Sequence, residues 1–331
     1  MYLSTLEVPS PGFLQAHAIQ SFVHSTCNST INTFNVSYEM YKIGSMKFKG
    51  VAGIVTENKA ELPPTVDGIM GLWYVPQIAQ VPILNVLKTY NVLSQNVIGV
   101  WLQSVPPSGG ANTAPGGEIT FGGLNPARYK GEITYIDNIP KQHWTIPVAG
   151  MKVGDTVINT NSAPATIDTG TTAMLMPKSV ADAINRAIPG AEQGEDNLWY
   201  LPCSGNTPIS ITFGTFTINI PYTSLAIQQA VVETTTGNYC LSAAMFPTGS
   251  MAVIDQWLIG DAVLSNVYTV FDFDTNAANG GRIGFAQLNT TDKNSSGDEE
   301  ANNGSFKGIT SSIVLLQATA VVVMSALFAV L

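Results

Sequence analysis

The run Ala165-Thr166-Ile167-Asp168-Thr169-Gly170-Thr171-Thr172 restricts the local backbone more than any other stretch of this chain. An apolar approach ends in an aspartate, and the residues after it stop the strand. Glycine allows a tight turn, the threonine hydroxyl can bond across to a partner loop, and the aspartate is left at a strand end. Three such residues also serve ordinary turns, so their surroundings decide what they mean. Downstream lie Trp257-Leu258-Ile259-Gly260-Asp261, Tyr268-Thr269-Val270-Phe271-Asp272 and Gly281-Arg282-Ile283-Gly284-Phe285-Ala286, strand-like apolar runs separated by turn residues. Upstream lie Val66-Asp67-Gly68-Ile69-Met70-Gly71-Leu72 and Gly117-Glu118-Ile119-Thr120-Phe121-Gly122-Gly123.

In this order the motifs resemble those of pepsin-like aspartic endopeptidases, over roughly residues 34 to 288. The resemblance implies an all-β, bilobal fold with an incomplete N-terminal lobe and a cleft between the lobes. Residues 1–25 match nothing, 26–130 form a partial N-terminal lobe, 131–288 the C-terminal lobe, 289–312 a polar stalk and 313–331 a hydrophobic tail. It also implies peptide-bond hydrolysis by a pair of carboxylates that share one proton, since like charges at contact cannot both ionise. One activates water while the other protonates the carbonyl. Asp168 is the expected member of that pair, with Thr169 and Gly170 shaping its turn and Thr171 and Thr172 placed to bond substrate backbone. The expected partner is a peptide or protein substrate, and the chain is expected to be a monomer with no cofactor.

Only one copy of the motif is present. Residues 1–50 contain no aspartate, and Asp67, Asp137 and Asp155, the others before Asp168, are not followed by Thr-Gly or Ser-Gly. Asp67 matches the family's non-catalytic Asp-Gly. Phe34-Asn35-Val36-Ser37-Tyr38 resembles the strand carrying the tyrosine of the substrate-covering flap, which makes Tyr38 the candidate flap residue. Glu39 to Gly44 then runs directly into what reads as the returning strand, so the flap is expected to be shortened or lost.

Composition fits a secreted all-β protein: 331 residues, 45% hydrophobic, 11% charged, with 30 glycines and 19 prolines. That length suffices for a large core. A net charge of −9 without a dense Lys/Arg cluster excludes nucleic acid as a partner. His17, His24 and His143 show no metal-ligand spacing, so no metal is expected. Cys203 and Cys240 have a spacing that resembles the family's C-lobe disulfide, which leaves Cys27 without a partner in this sequence. Such a bridge implies an oxidising compartment. After Pro177, Val180, Ile184 and Ile188 recur at helical spacing, with Ser179 as expected N-cap and Pro189 as the stop.

The C-terminus carries a second strong signal. Asn289 to Lys307 is polar, and Ile313 to Leu331 is predominantly apolar with no charge and no basic residue after it. This is the pattern of a glycosylphosphatidylinositol (GPI) attachment signal, with Asn303-Gly304-Ser305 as the cleavage triplet and Asn303 as the attachment site. A retained transmembrane helix is the alternative, although a span usually carries flanking Lys or Arg. Sequons at Asn28, Asn35, Asn289 and Asn294 fit a secretory route. The start, with no basic region and an apolar run broken by Pro9 and Pro11, does not read as a signal peptide. Together with the single aspartate motif, the reduced flap and the unpaired Cys27, it suggests that the first part of a longer protein is missing.

The expected function is therefore that of an aspartic endopeptidase of fungal cell-surface type, inactive as these 331 residues stand. The alternatives are a non-catalytic peptide-binding or cell-wall protein on the same fold, and a pairing of two chains that each give one Asp168.

Overall fold

Alternating burial along short β-branched and aromatic runs dictates most of the architecture. The strand Ile209–Phe213, for instance, buries Ile209, Ile211 and Phe213 and turns Ser210 and Thr212 outward. The computed structural model describes residues 2–3, 20–25, 31–43, 46–57, 68–72, 82–103, 116–140, 144–234, 237–247, 256–274, 280–289 and 309–310. Strands dominate, with four short helices among the described residues, as expected of an all-β chain.

The sheet that positions the candidate site joins Thr145–Val153, Pro164–Ile167, Trp257–Ile259 and Met174–Leu175 as successive neighbours. Trp257–Ile259 inserts between the strands that flank the Asp168 turn. It runs parallel to Pro164–Ile167, pairing Ala165 with Trp257 and Ile167 with Ile259, and antiparallel to Met174–Leu175. All three of its residues are buried, which accounts for an unbroken apolar run rather than an alternating one.

A second sheet draws strands from distant parts of the sequence. Val97–Leu102 pairs with Tyr268–Asp272, which pairs with Arg282–Leu288, which pairs with Tyr129–Asp137. The expected lobe boundary between residues 130 and 131 falls inside the last of these strands. Tyr268 is fully buried here, and its hydroxyl accepts a hydrogen bond from the Asn125 N–H at 3.1 Å. Burial raises that hydroxyl's pKa to about 12. Gly99 makes room for it, because a Cβ there would lie 2.0 Å from the Tyr268 oxygen. At the far edge Ile309–Thr310 pairs with Glu118 and Ile119.

The Cys203–Cys240 disulfide is formed, with a Cα–Cα distance of 4.9 Å. Cys240 is buried in Gly237–Ser242, next to the strand Trp199–Pro202 that leads into Cys203. The helix after Pro177 is present as Lys178–Arg186, but Pro177 occupies the N-cap and no side chain caps it. Proline suits the helix entry because it has no N–H to satisfy and its φ of −54° is already fixed. Ser179 therefore lies inside the first turn. The helix ends at the Ala187 cap, before Pro189.

Ile31–Ile43 and Met46–Glu57 form one hairpin from Thr33↔Glu57 to Ile43↔Met46, with a register shift between Thr33 and Phe34, and Gln20–Ser25 adds to its other edge. Asn35 lies in the central strand, between Ser21 and Ile54. Asn289 donates through Nδ2 to the Ala127 carbonyl at 3.1 Å. Cys27, Asn28, Asp67, His17, His143, Asn294, Asn303 and the tail 313–331 lie outside the described residues. Among the described residues no helix is long and apolar enough to cross a membrane, and no His/Cys/Asp/Glu cluster is arranged to hold a metal ion.

Candidate active site at the Asp168 turn

The turn is built from its backbone outward. Ala165 and Ile167 are buried, and the hydroxyls of Thr145 and Thr166 meet at 2.9 Å in the same interior, fixing the strand before the turn. The Asp168 N–H donates to the Ile259 carbonyl at 2.9 Å, continuing the parallel pairing by one residue. The chain then reverses. Gly170 N–H donates to Asp168 Oδ1 at 2.8 Å, the Thr171 hydroxyl donates to Asp168 Oδ2 at 2.7 Å, and Thr171 N–H reaches the Asp168 carbonyl at 3.2 Å. An aspartate that bonds the backbone two residues on is the usual mechanism of an Asx-type turn. Both carboxylate oxygens are thereby oriented, while the residue stays half-exposed.

Thr169 and Gly170 are half-buried and form the turn. Thr171 requires a correction: it is fully buried and its hydroxyl is engaged with Asp168, so it orients the carboxylate and is not available to substrate backbone. Thr172 is exposed, and its carbonyl accepts the Ala262 N–H at 2.9 Å. Tyr38 sits in mid-strand opposite Val51, away from the hairpin end at Ile43↔Met46.

Gly260 and Asp261 complete the site. Gly260 threads past the turn so closely that a Cβ would lie 2.0 Å from the Thr171 carbonyl oxygen and 2.5 Å from that of Ala173. Its N–H donates to the Ala173 carbonyl at 3.0 Å. Asp261 N–H then donates to the Thr171 carbonyl at 2.8 Å. The Asp261 residue as a whole is half-buried, yet its Oδ1 is enclosed without a hydrogen-bond partner among the described residues. Burial pushes this carboxyl well above the usual carboxylate range, and the nearby Asp168 charge pushes in the same direction. Such an acid stays protonated where an exposed one would ionise.

Two residues of this neighbourhood escaped the sequence reading. Asp261 read as the end of a supporting apolar segment, although a carboxylate closing a fully buried run is itself a signal. Trp144 carried no role in the sequence reading. It is in fact buried, with a φ of 46°, and its carbonyl accepts the Ile167 N–H at 2.8 Å.

A family model described as eukaryotic aspartyl protease matches residues 28–288. The chain is 32% identical over 239 residues to a probable aspartic-type endopeptidase CTSD of Arthroderma benhamiae, covering 72% of this chain and 43% of that protein. It is 29% identical over 282 residues to major aspartyl peptidase 1 of Cryptococcus neoformans var. grubii, covering 79% and 55%. With cathepsin D of Chionodraco hamatus it shares 30% identity over 234 residues, covering 67% and 54%. The chain thus spans about half the length of these relatives. Their likeness, the matched span and the strand that threads the Asp168 turn agree: the chain belongs to the eukaryotic aspartyl protease family and carries its all-β, pepsin-like fold.

Proposed function

We propose that this chain supplies Asp168 as one catalytic carboxylate of an aspartic endopeptidase that hydrolyses peptide bonds at the cell surface. The observation that carries this is the carboxylate itself: half-exposed, with one oxygen held by the Gly170 N–H and the other by the Thr171 hydroxyl. Holding both oxygens lowers the cost of orienting the group against water and scissile carbonyl. Thr169 and Gly170 keep the turn, and Thr172 is the exposed residue of the motif that remains available to substrate.

A lone carboxylate cannot act as acid and base toward the same water and carbonyl. Turnover therefore requires a second Asp-Thr-Gly or Asp-Ser-Gly, and these 331 residues hold one such motif. That shortfall favours a second reading, a peptide-binding protein on the same fold. Expression of the protein from its complete transcript, followed by a peptide-cleavage assay at acidic pH, separates the two. Cleavage lost in Asp168→Asn supports the enzyme; cleavage absent from the complete protein supports the binder.

The cell-surface part of the proposal rests on the uncharged tail and on Asn303-Gly304-Ser305, with Asn28, Asn35, Asn289 and Asn294 as glycan acceptors. Lipid attachment at Asn303 removes everything beyond it. The pairing of Ile309–Thr310 with Glu118 and Ile119 then belongs to the unprocessed chain alone.

A further inference from the structure

Trp144 lies outside the Asp168 turn yet touches what sets its position. Its φ of 46° is in the left-handed region, where a Cβ is disfavoured, and a bulky residue persists there only when its surroundings over-determine it. Those surroundings are visible. The carbonyl accepts the N–H of Ile167, the residue immediately before Asp168, at 2.8 Å. The indole Nε1–H donates to the Leu72 carbonyl at 2.9 Å. The ring meets Phe271 edge-on, with centroids 5.0 Å apart. One strained residue thus ties the Asp168 strand to the segment that contains Leu72 and to the sheet that contains Tyr268–Asp272. The bond to the Leu72 carbonyl spans two distant parts of the sequence.

We infer that Trp144 is a positioning residue, whose indole N–H fixes the Asp168 turn relative to the segment 68–72. This rests on the catalytic role proposed for Asp168. A carboxylate that must face a second one is sensitive to displacements far smaller than those that unfold a sheet, so losing this bond should alter chemistry more than stability.

The test replaces Trp144 by Phe, which keeps a ring against Phe271 and removes the N–H. In the chain as it stands, amide hydrogen exchange should accelerate about tenfold at Met70–Leu72 and at Ile167–Gly170, while Ile283–Phe285, in the other sheet, keeps its protection. In the protein expressed from its complete transcript, kcat should fall about tenfold with KM changed less than about twofold. If Trp144→Phe does not fold, β-(3-benzothienyl)alanine at position 144 keeps the bicyclic shape and replaces N–H by sulfur, and the same outcomes apply. Unchanged exchange at both segments, uniform acceleration everywhere, or local acceleration with unaltered kcat would each overturn the inference. If the parent protein shows no turnover, the catalytic proposal falls, and the exchange measurement still decides whether Trp144 couples the two segments.

Discussion

The backbone N–H of Asp261 donates to the carbonyl of Thr171 at 2.8 Å, which places an acid with an enclosed carboxyl oxygen directly against the turn that orients Asp168. The protein consequently carries a carboxyl whose ionisation the fold resists, and stability should depend on pH because of it. In the unfolded chain an aspartyl carboxyl loses its proton near pH 4. In the folded chain Asp261 holds its proton to a much higher pH. Between those limits the folded state binds more protons, so its advantage is complete below the unfolded pKa and is lost as pH rises through the folded one. Urea midpoints should therefore fall from acidic toward neutral pH, and Asp261→Asn should flatten that slope. Identical slopes for parent and variant would contradict the assignment.

The neighbouring glycine has no such freedom. Gly260→Ala sets a Cβ against the carbonyl oxygens of Thr171 and Ala173, and neither is the end of a flexible side chain. The expected destabilisation is about 3 kcal/mol, read from urea unfolding.

Thr171→Val keeps the shape of a fully buried side chain and removes the hydroxyl that holds Asp168 Oδ2. Losing a hydrogen bond to a charged group should cost about 1.5 to 3 kcal/mol, nearer the lower figure because Asp168 is half-exposed and water can replace the hydroxyl. Thermal or urea unfolding checks the cost, and a loss of turnover larger than the loss of stability is expected in the complete protein.

The Cys203–Cys240 bridge closes a sequence separation of 37 residues. In the chain-entropy model its removal by Cys203→Ala with Cys240→Ala should cost about 3 to 4 kcal/mol. Unfolding under non-reducing conditions measures it.

What was legible in the sequence was what neighbouring residues decide. The Asp168-Thr169-Gly170 turn, the strand character of Trp257–Ile259 and the helix after Pro177 follow from local composition and periodicity. The Cys203–Cys240 pairing was legible only through the family resemblance. The burial of Thr171, the enclosed Asp261 carboxyl and the bond from Trp144 to Leu72 depend on contacts between residues far apart in sequence. No local pattern states them. The choice of Pro177 over Ser179 as N-cap shows the same limit at short range, since both residues suit a helix entry.

For the tail, treatment of cells with a phosphatidylinositol-specific phospholipase should release the mature protein, and mass spectrometry should find residues 313–331 absent. Retention in the membrane with the tail intact would favour a transmembrane helix.

The central claim is that Asp168 is a catalytic carboxylate, and Asp168→Asn tests it most directly. Asparagine keeps the shape, still accepts the Gly170 N–H through its oxygen, and loses the charge. In the protein expressed from its complete transcript, kcat/KM for a peptide substrate at acidic pH should fall by at least about 10³-fold with the thermal midpoint little changed. Turnover by Asp168→Asn at the parent rate would contradict the account.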